Sequence, residues 1–348
     1  MTTPATHKRL GFFTRLLDEA SAAERYRFAT EQIVQAEKFG FDSAWVAQHH
    51  FHEAEGGLPA PLVFLGHVAA KTSRIRLGTG IITLPLENPI RVAEDAAVLD
   101  LLSGGRLEVG VGSGGTPSSF TAFGLDSANR GETFGRALKT VRDAWNGRPF
   151  EGGNALYPAA PHLGDRIWQA TFSAAGGARA GETGDGLMLS RTQPRPKDAP
   201  HASLADLQHP IIDAYLEKLP PGREPRIVGS RTLFVADNRE EALHFAEKGL
   251  RRIADHFVEK GHVLPGNSLS DLIAAFDTHV GTPEDVIASL STDTTLSRVT
   301  DVVFQVHSVD PPHPYILRSI ELIATEVAPA LGWRQPQETA ERRVALVR

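Results

Sequence analysis

Three histidines fall within four positions, in Gln48-His49-His50-Phe51-His52, and the 348 residues contain no cysteine. An imidazole exchanges protons near neutral pH, so His49 or His50 beside an organic ring suits a proton donor or acceptor. A loop histidine that only caps a carbonyl is the plainer use of the same residue. His50 and His52 also form a His-x-His pair of the kind that holds zinc in hydrolytic barrels, a reading that needs further His or Asp ligands on later strands. A second chemistry lies in Ser173-Ala-Ala-Gly-Gly-Ala-Arg179, which follows an apolar run and opens a helical one. Its hydroxyl and free backbone amides, around Gly176 and Gly177, suit a phosphate with the helix dipole assisting. Ser113, in Gly110-Val-Gly-Ser-Gly-Gly115, supplies similar donors. An ordinary turn and permissive loop glycines are the structural alternatives.

Composition restricts what these residues can serve. Lys and Arg total 36 against 42 Asp and Glu, a net charge of -6, and no basic block is present, so nucleic acid is not an expected partner. Without cysteine, disulfide scaffolds, iron–sulfur clusters and thiol nucleophiles are absent, and redox chemistry would come from a bound organic cofactor or a metal held by nitrogen and oxygen. Apolar runs extend only a few residues, against the ~18 or more of a membrane span. The segment from Met1 to Arg9 leads into too short an apolar stretch for a signal peptide, so a cytoplasmic location is expected.

The elements that must position these groups alternate. Ser21-Ala-Ala-Glu24 has capping-box spacing ahead of a helix over 24–39, and Asn88-Pro89 sets an N-cap and first-turn proline for a helix over 90–102. Apolar, non-alternating strands are predicted near 10–13, 43–47, 75–83, 107–111, 167–172, 187–190, 227–235 and 301–306, each followed by a helix. Such strands need cover on both faces, hence a parallel sheet, and eight units favour a single-domain (β/α)8 TIM barrel with its site at the strands' C-terminal ends. Insertions fall near 150–166 and in a loop-rich stretch over 261–281, the barrel running over 1–333 and a polar tail over 334–348. The strand ends then gather His49, His50 and His52, Gly80, Ile81 and Thr83, Ser113, Ser173, Gly176 and Gly177, Ser190 and Arg191, and His307. Acidic residues are scarce among them, which argues against a paired-carboxylate glycosidase.

Several motifs in order carry a resemblance. Phe41-Asp-Ser-Ala-Trp-Val-Ala-Gln-His-His-Phe51, Leu77-Gly-Thr-Gly-Ile-Ile-Thr-Leu-Pro85, Asn88-Pro89, Glu94-Asp95, Leu99-Asp100 through Ser103-Gly-Gly-Arg-Leu-Glu-Val-Gly110, Ser173 to Ser190 and Val280-Gly-Thr-Pro-Glu-Asp285 closely resemble the bacterial luciferase-like flavin monooxygenases. The resemblance implies the (β/α)8 barrel with FMN at its mouth. It places His49 on the family's catalytic histidine and His50 on its neighbour, matches Gly80-Ile81 to a non-prolyl cis peptide beneath the flavin, assigns Ser173 and Gly176 to the FMN phosphate and Ser190 to the flavin's surroundings, and sets Arg130 one position from a phosphate-binding arginine. The implied activity uses reduced FMN and O2, through a peroxyflavin, to oxidise a small or medium organic substrate. A separate flavin reductase as partner and a homodimer through residues 58–73 and 89–102 follow from the same likeness, Val63, Phe64, Val68, Val92, Ala96 and Leu99 being spaced to pack one face on the barrel. A deazaflavin (F420)-dependent oxidoreductase and a non-catalytic flavin-binding protein are the alternatives.

This chain also departs from the luciferases. Gln48 and Phe172 stand where they have Glu, Ser113 where they have a phosphate-contacting Arg, and Arg191 where they have an aromatic residue, so light emission from a long-chain aldehyde is not expected. Phe51, Phe120, Phe123 and Phe172 predict a partly apolar substrate. Arg191 suits an anionic group such as a carboxylate or sulfonate, or else a surface salt bridge.

Overall fold

Strands whose residues are buried on both faces, such as Ser43–Val46 and Ile227–Val235, must be covered on both sides. A computed structural model of the chain, describing residues 7–335 apart from 197, 200, 260–263 and 265, meets that requirement. Its strands are β1 (Arg9–Thr14), β2 (Ser43–Val46), β3 (Arg76–Thr79), β4 (Ile82–Thr83), β5 (Leu107–Gly112), β6 (Ile167–Ala170), β7 (Gly186–Leu189), β8 (Ile227–Val235), β9 (Thr278–Gly281) and β10 (Asp301–Gln305). All pair in parallel, in the order β10-β1-β2-β3-β5-β6-β7-β8, and β10 pairs with β8 to close the ring. Eight strands with intervening helices make the expected (β/α)8 barrel.

Two details differ from the sequence expectation. The stretch 75–83 is two strands, because the backbone breaks at Gly80-Ile81, and β4 continues alone against β5. The stretch 261–281 ends in β9, which extends the far end of β8 from Thr232 to Val235 outside the closed ring. Four residues are too few to show a period, which hid β9 among loop signals. The tail beyond 335 lies outside the described residues.

Local signals place the helices. Ser21 and Glu24 form the expected capping box, the helix running Ala22–Lys38, and Asn88 Oδ1 accepts from the Ile90 amide ahead of helix Pro89–Leu102. Buried Asp100, within one of the motifs above, accepts from the Leu107 amide at 3.2 Å and Arg166 Nη1 at 2.9 Å, which locks helix Pro89–Leu102 to β5. Inside the ring, Trp45 and Trp168 meet edge to face at 5.7 Å and join Met188, Val228 and Val303. These side chains fill the barrel, so any ligand must sit above them. Among the described residues no helix is long and apolar enough to cross a membrane.

Candidate functional site

The C-terminal ends of the barrel strands surround a cavity of about 610 Å³, within the range of small-molecule sites. Its floor is apolar: Phe13, Ile81, Met188, Val228 and Val303 all line it. In the ring, β1 lies opposite β6 and β2 opposite β7. Arg15 therefore stands on the wall opposite Ser173, and His49 and His50 on the wall opposite Arg191.

His49, His50, Gly80, Ile81, Ser113, Arg130, Ser173 and Ser190 all line this cavity. The Gly80-Ile81 peptide is cis. Gly176 and Gly177 lie outside the cavity lining. A Cβ on Gly176 would collide with the Thr171 hydroxyl and one on Gly177 with the Ile211 carbonyl, so both residues seat helix Ala174–Glu182 tightly against its neighbours. His307 is also away from the cavity, buried against Asp310 at 2.8 Å. Of the phenylalanines, Phe120 and Phe172 line the cavity, while Phe123 packs edge-on to His50 at 5.0 Å and on Phe51 at 5.7 Å at the rim.

One end of the cavity is built for an anion. Ser173 Oγ accepts from the Gly176 amide at 3.2 Å as the N-cap and lies 3.4 Å from Thr171 Oγ1, while the amides of Ala174 and Ala175 precede the first intrahelical bonds, the feature that lets a helix N-terminus take an anion. Arg130 and Arg179 line the same cavity. Arg179 Nε donates to Gln169 Oε1 at 2.9 Å and its guanidinium lies 5.0 Å over the Phe134 ring, which fixes it, and burial holds its pKa below the usual arginine value. Neither arginine has a carboxylate within 4.0 Å among the described residues. Two uncompensated cations, a hydroxyl and a helix N-terminus form a donor set that fits a phosphate.

The opposite end holds the imidazoles. Arg15 Nη2 donates to His49 Nε2 at 3.1 Å and Arg15 Nε to the Glu55 carbonyl at 2.9 Å, while Glu55 Oε2 stands 3.7 Å from His49 Nδ1 and accepts from Thr116 Oγ1 at 2.9 Å. Burial pushes His49 below the usual imidazole range, Glu55 opposing and Arg15 assisting. The His49 imidazole, aided by Thr116, holds the Glu55 carboxyl down at about 2. Burial likewise lowers His50, whose Nε2 is buried without a hydrogen-bond partner. Gln48 is a brace: Nε2 donates to Glu87 Oε1 at 2.6 Å and Oε1 accepts from the Thr83 amide at 2.7 Å, tying the segment after β2 to β4.

Sequence reasoning does not single out Arg15, Glu55, Arg179, Ser230 or Gln305. Arg15 directly follows β1, so the rule that finds the other strand-end residues finds it too once it is applied to the first strand. Ser230 and Gln305 lie within strands whose apolar character hides them, and Glu55 depends on a loop folding back. His50 and His52 do not converge as metal ligands. His52 Nε2 contacts Ser118 Oγ at 2.7 Å, and among the described residues no three His, Asp or Glu side chains gather to hold a metal.

A family model described as luciferase-like monooxygenase matches residues 10–294. The chain is 28% identical to 4-hydroxyprotoasukamycin monooxygenase of Streptomyces nodosus subsp. asukaensis, over 89% of this chain and 91% of that one. It is 37% identical to an F420-dependent glucose-6-phosphate dehydrogenase of Kineococcus radiotolerans, over 45% of this chain and 50% of that one. Among solved structures, monooxygenase RslO1 from Streptomyces bottropensis superposes with a TM-score of 0.78 at 26% identity, covering 92% of this chain and 99% of that one. The FMN complex of the oxygenating constituent of 3,6-diketocamphane monooxygenase from Pseudomonas putida superposes at 0.71 with 20% identity, covering 93% and 99%, and so shares the fold.

Proposed function

The chain belongs to the luciferase-like monooxygenase family, and from that premise we propose that it uses reduced FMN and O2 to oxidise a small or medium organic substrate in the cavity at the barrel mouth. The observation that carries the cofactor is a set of anion-binding donors in one cavity: Ser173, the N-cap of helix Ala174–Glu182, lines it together with Arg130, Arg179 and the apolar floor. A phosphate held there leaves the floor of Phe13, Ile81, Met188, Val228 and Val303 for a flat ring. Bound and reduced, FMN supplies the electrons that activate O2.

The protein's own part is orientation, exclusion of water and proton handling. The apolar floor keeps water from the ring's buried side. His49 is neutral at pH 7 and held in one orientation between Arg15 and Glu55, while His50 has the free nitrogen and exchanges a proton at Nε2. Reduced flavin comes from a separate reductase in this reading, as suits a chain shaped like the oxygenating constituent of a larger monooxygenase.

A deazaflavin is the second reading, favoured by the F420-dependent Kineococcus relative. Anaerobic titration with oxidised FMN, reduced FMN and F420 separates the two. Micromolar binding of FMN is expected, and no binding of either FMN form below millimolar rejects the reading. Oxygen uptake with reduced FMN across aldehydes, ketones and carboxylic acids then reports turnover, and only hydrogen peroxide at the substrate-free rate counts against monooxygenation of that panel.

A homodimer completes the proposal. Phe64, Val68, Val92, Ala96 and Leu99 pack on the barrel, whereas Val63, Leu101 and Leu102 are 78%, 63% and 71% exposed. This apolar surface on helices Pro61–Ala69 and Pro89–Leu102 suits a second copy. Light scattering at micromolar concentration should give twice the chain mass, and the monomer mass alone would refute it.

A further inference from the structure

Arg191 follows β7 and reaches the cavity from the wall opposite the histidines. Its Nη1 donates to Thr232 Oγ1 at 3.0 Å. A guanidinium carries five N–H donors, and among the described residues Arg191 has no other hydrogen bond and no carboxylate within 4.0 Å.

The nearby acids are already engaged. Asp277 takes both Arg195 nitrogens, at 2.7 and 2.5 Å, together with Thr192 Oγ1 at 2.5 Å. Asp310 is held by His307 at 2.8 Å and Arg252 at 2.5 Å. Glu55 faces His49 and Thr116, and Arg15, a further cation lining the cavity, is occupied by His49 and the Glu55 carbonyl. A surface salt bridge for Arg191 is therefore not what the fold provides. The residue is half-buried, and the cavity it lines is where its remaining surface opens.

We propose that Arg191 is the specificity residue of the site, receiving the carboxylate of an organic acid substrate whose apolar body lies in the remainder of the same cavity. The planar fork of a guanidinium matches a carboxylate bidentately, and a cation this enclosed gains most from a partner that arrives with its own negative charge. Burial, with Arg15 nearby, brings the Arg191 pKa down to about 9, in keeping with a charge that lacks a resident partner. The cofactor phosphate does not need this residue, because Ser173, Arg130 and Arg179 give the same cavity an anion-binding donor set of their own. The inference rests on the reading of this cavity as the reaction site and deepens it to a substrate class.

The test uses binding to the flavin-free full-length protein, so failed turnover and a failed anion site remain distinguishable. Calorimetric titration with phenylacetate, phenylmethanesulfonate and the neutral phenylacetamide should show phenylacetate bound at least tenfold more tightly than the amide. Equal or tighter binding of the sulfonate reassigns the site to sulfonic acids and overturns the carboxylate assignment. Arg191→Gln should reduce the preference for phenylacetate over the amide to within twofold, and an undiminished preference overturns the proposal. The same variant should bind FMN within twofold of the parent, and a tenfold loss for FMN would assign Arg191 to the cofactor instead. Thermal unfolding of ligand-free Arg191→Gln should occur at or above the parent temperature, since an unpaired enclosed cation is removed. A clear drop there would mark Arg191 as structural.

Discussion

Arg15 Nη2 donates to His49 Nε2 across 3.1 Å, and because a guanidinium cannot accept a hydrogen bond, the neutral imidazole carries its proton on Nδ1, toward Glu55. The residue placed on the family's catalytic histidine is thus clamped between a cation and a carboxylate, both supplied by segments next to strand ends. His50, one position later, has the imidazole nitrogen with no partner. The two neighbours divide the work: one is oriented, the other is available.

If that division holds, His50→Ala and His49→Ala should each lower kcat for substrate oxidation by roughly 10²- to 10⁴-fold, the usual range for a positioned acid or base, while FMN affinity stays within twofold. Glu55→Gln tests the clamp through pH. Glu55 raises the His49 pKa, so its loss lets His49 fall further below 6.5. The acid limb of kcat/KM, where neutral imidazole is lost, should move to lower pH in Glu55→Gln. A limb that stays put or moves up would show that turnover does not depend on a neutral, clamped His49.

The anion-binding end gives a second test. Arg179→Gln removes a fixed cation whose charge-assisted hydrogen bonds to phosphate are worth about 1.5–3 kcal/mol, so the Kd for FMN should rise about 10- to 100-fold. Riboflavin, which lacks the phosphate, should bind parent and variant alike. Fluorescence titration decides it, and equal losses for both ligands would put Arg179 elsewhere. Ser173→Ala is the poorer probe because it also removes the N-cap of helix Ala174–Glu182.

Legibility in the sequence followed physical scale. The barrel could be read because most strands are short, mainly apolar runs bounded by turn residues, and several helix starts carry a local cap such as Ser21 or Asn88. Site positions at strand ends followed from the barrel rule, and the family likeness added roles to His49, Ser173 and the Gly80-Ile81 pair. What stayed hidden depends on contacts distant along the chain. Glu55 reaches His49 only when the loop after β2 folds back, and the isolation of Arg191 depends on Asp277 and Asp310 being taken by Arg195, Arg252 and His307. Gly176 and Gly177 also have a packing role that their sequence context does not show, since the missing side chains make room for Thr171 and for helix Leu204–Lys218.

That packing role is itself measurable. A Cβ at Gly177 meets the backbone carbonyl of Ile211, which cannot rotate away, so Gly177→Ala should destabilise by about 1–3 kcal/mol, as overpacking does. Gly135 lies within helix Arg130–Trp145, and a methyl group there would meet nothing within 4 Å, so Gly135→Ala should stabilise by roughly 0.5–1 kcal/mol through helix propensity. Urea midpoints of the two variants should therefore move in opposite directions. A neutral Gly177→Ala would show that the two helices can separate without cost.

Acid should unfold the protein through its buried histidines before its carboxylates. Burial, with Arg191 assisting and Asp310 opposing, brings His307 down to about 4, and burial with Arg231 brings His279 to about 4. A base with a lowered folded pKa binds fewer protons than the unfolded chain between about 6.5 and 4, so its stabilising contribution is complete above about pH 6.5 and is lost as pH falls toward 4. For His307 alone that loss is roughly 3 kcal/mol. Asp310 acts with the same sign at lower pH, since His307 and Arg252 hold its carboxyl below the usual range against the effect of burial. Urea midpoints at pH 7, 5.5 and 4 should fall steeply in the parent. His307→Gln, which cannot take up the proton, should show a shallower fall, with His279, His49 and His50 supplying what remains. An unchanged pH slope in His307→Gln would mean that His307 is not held neutral in the folded protein.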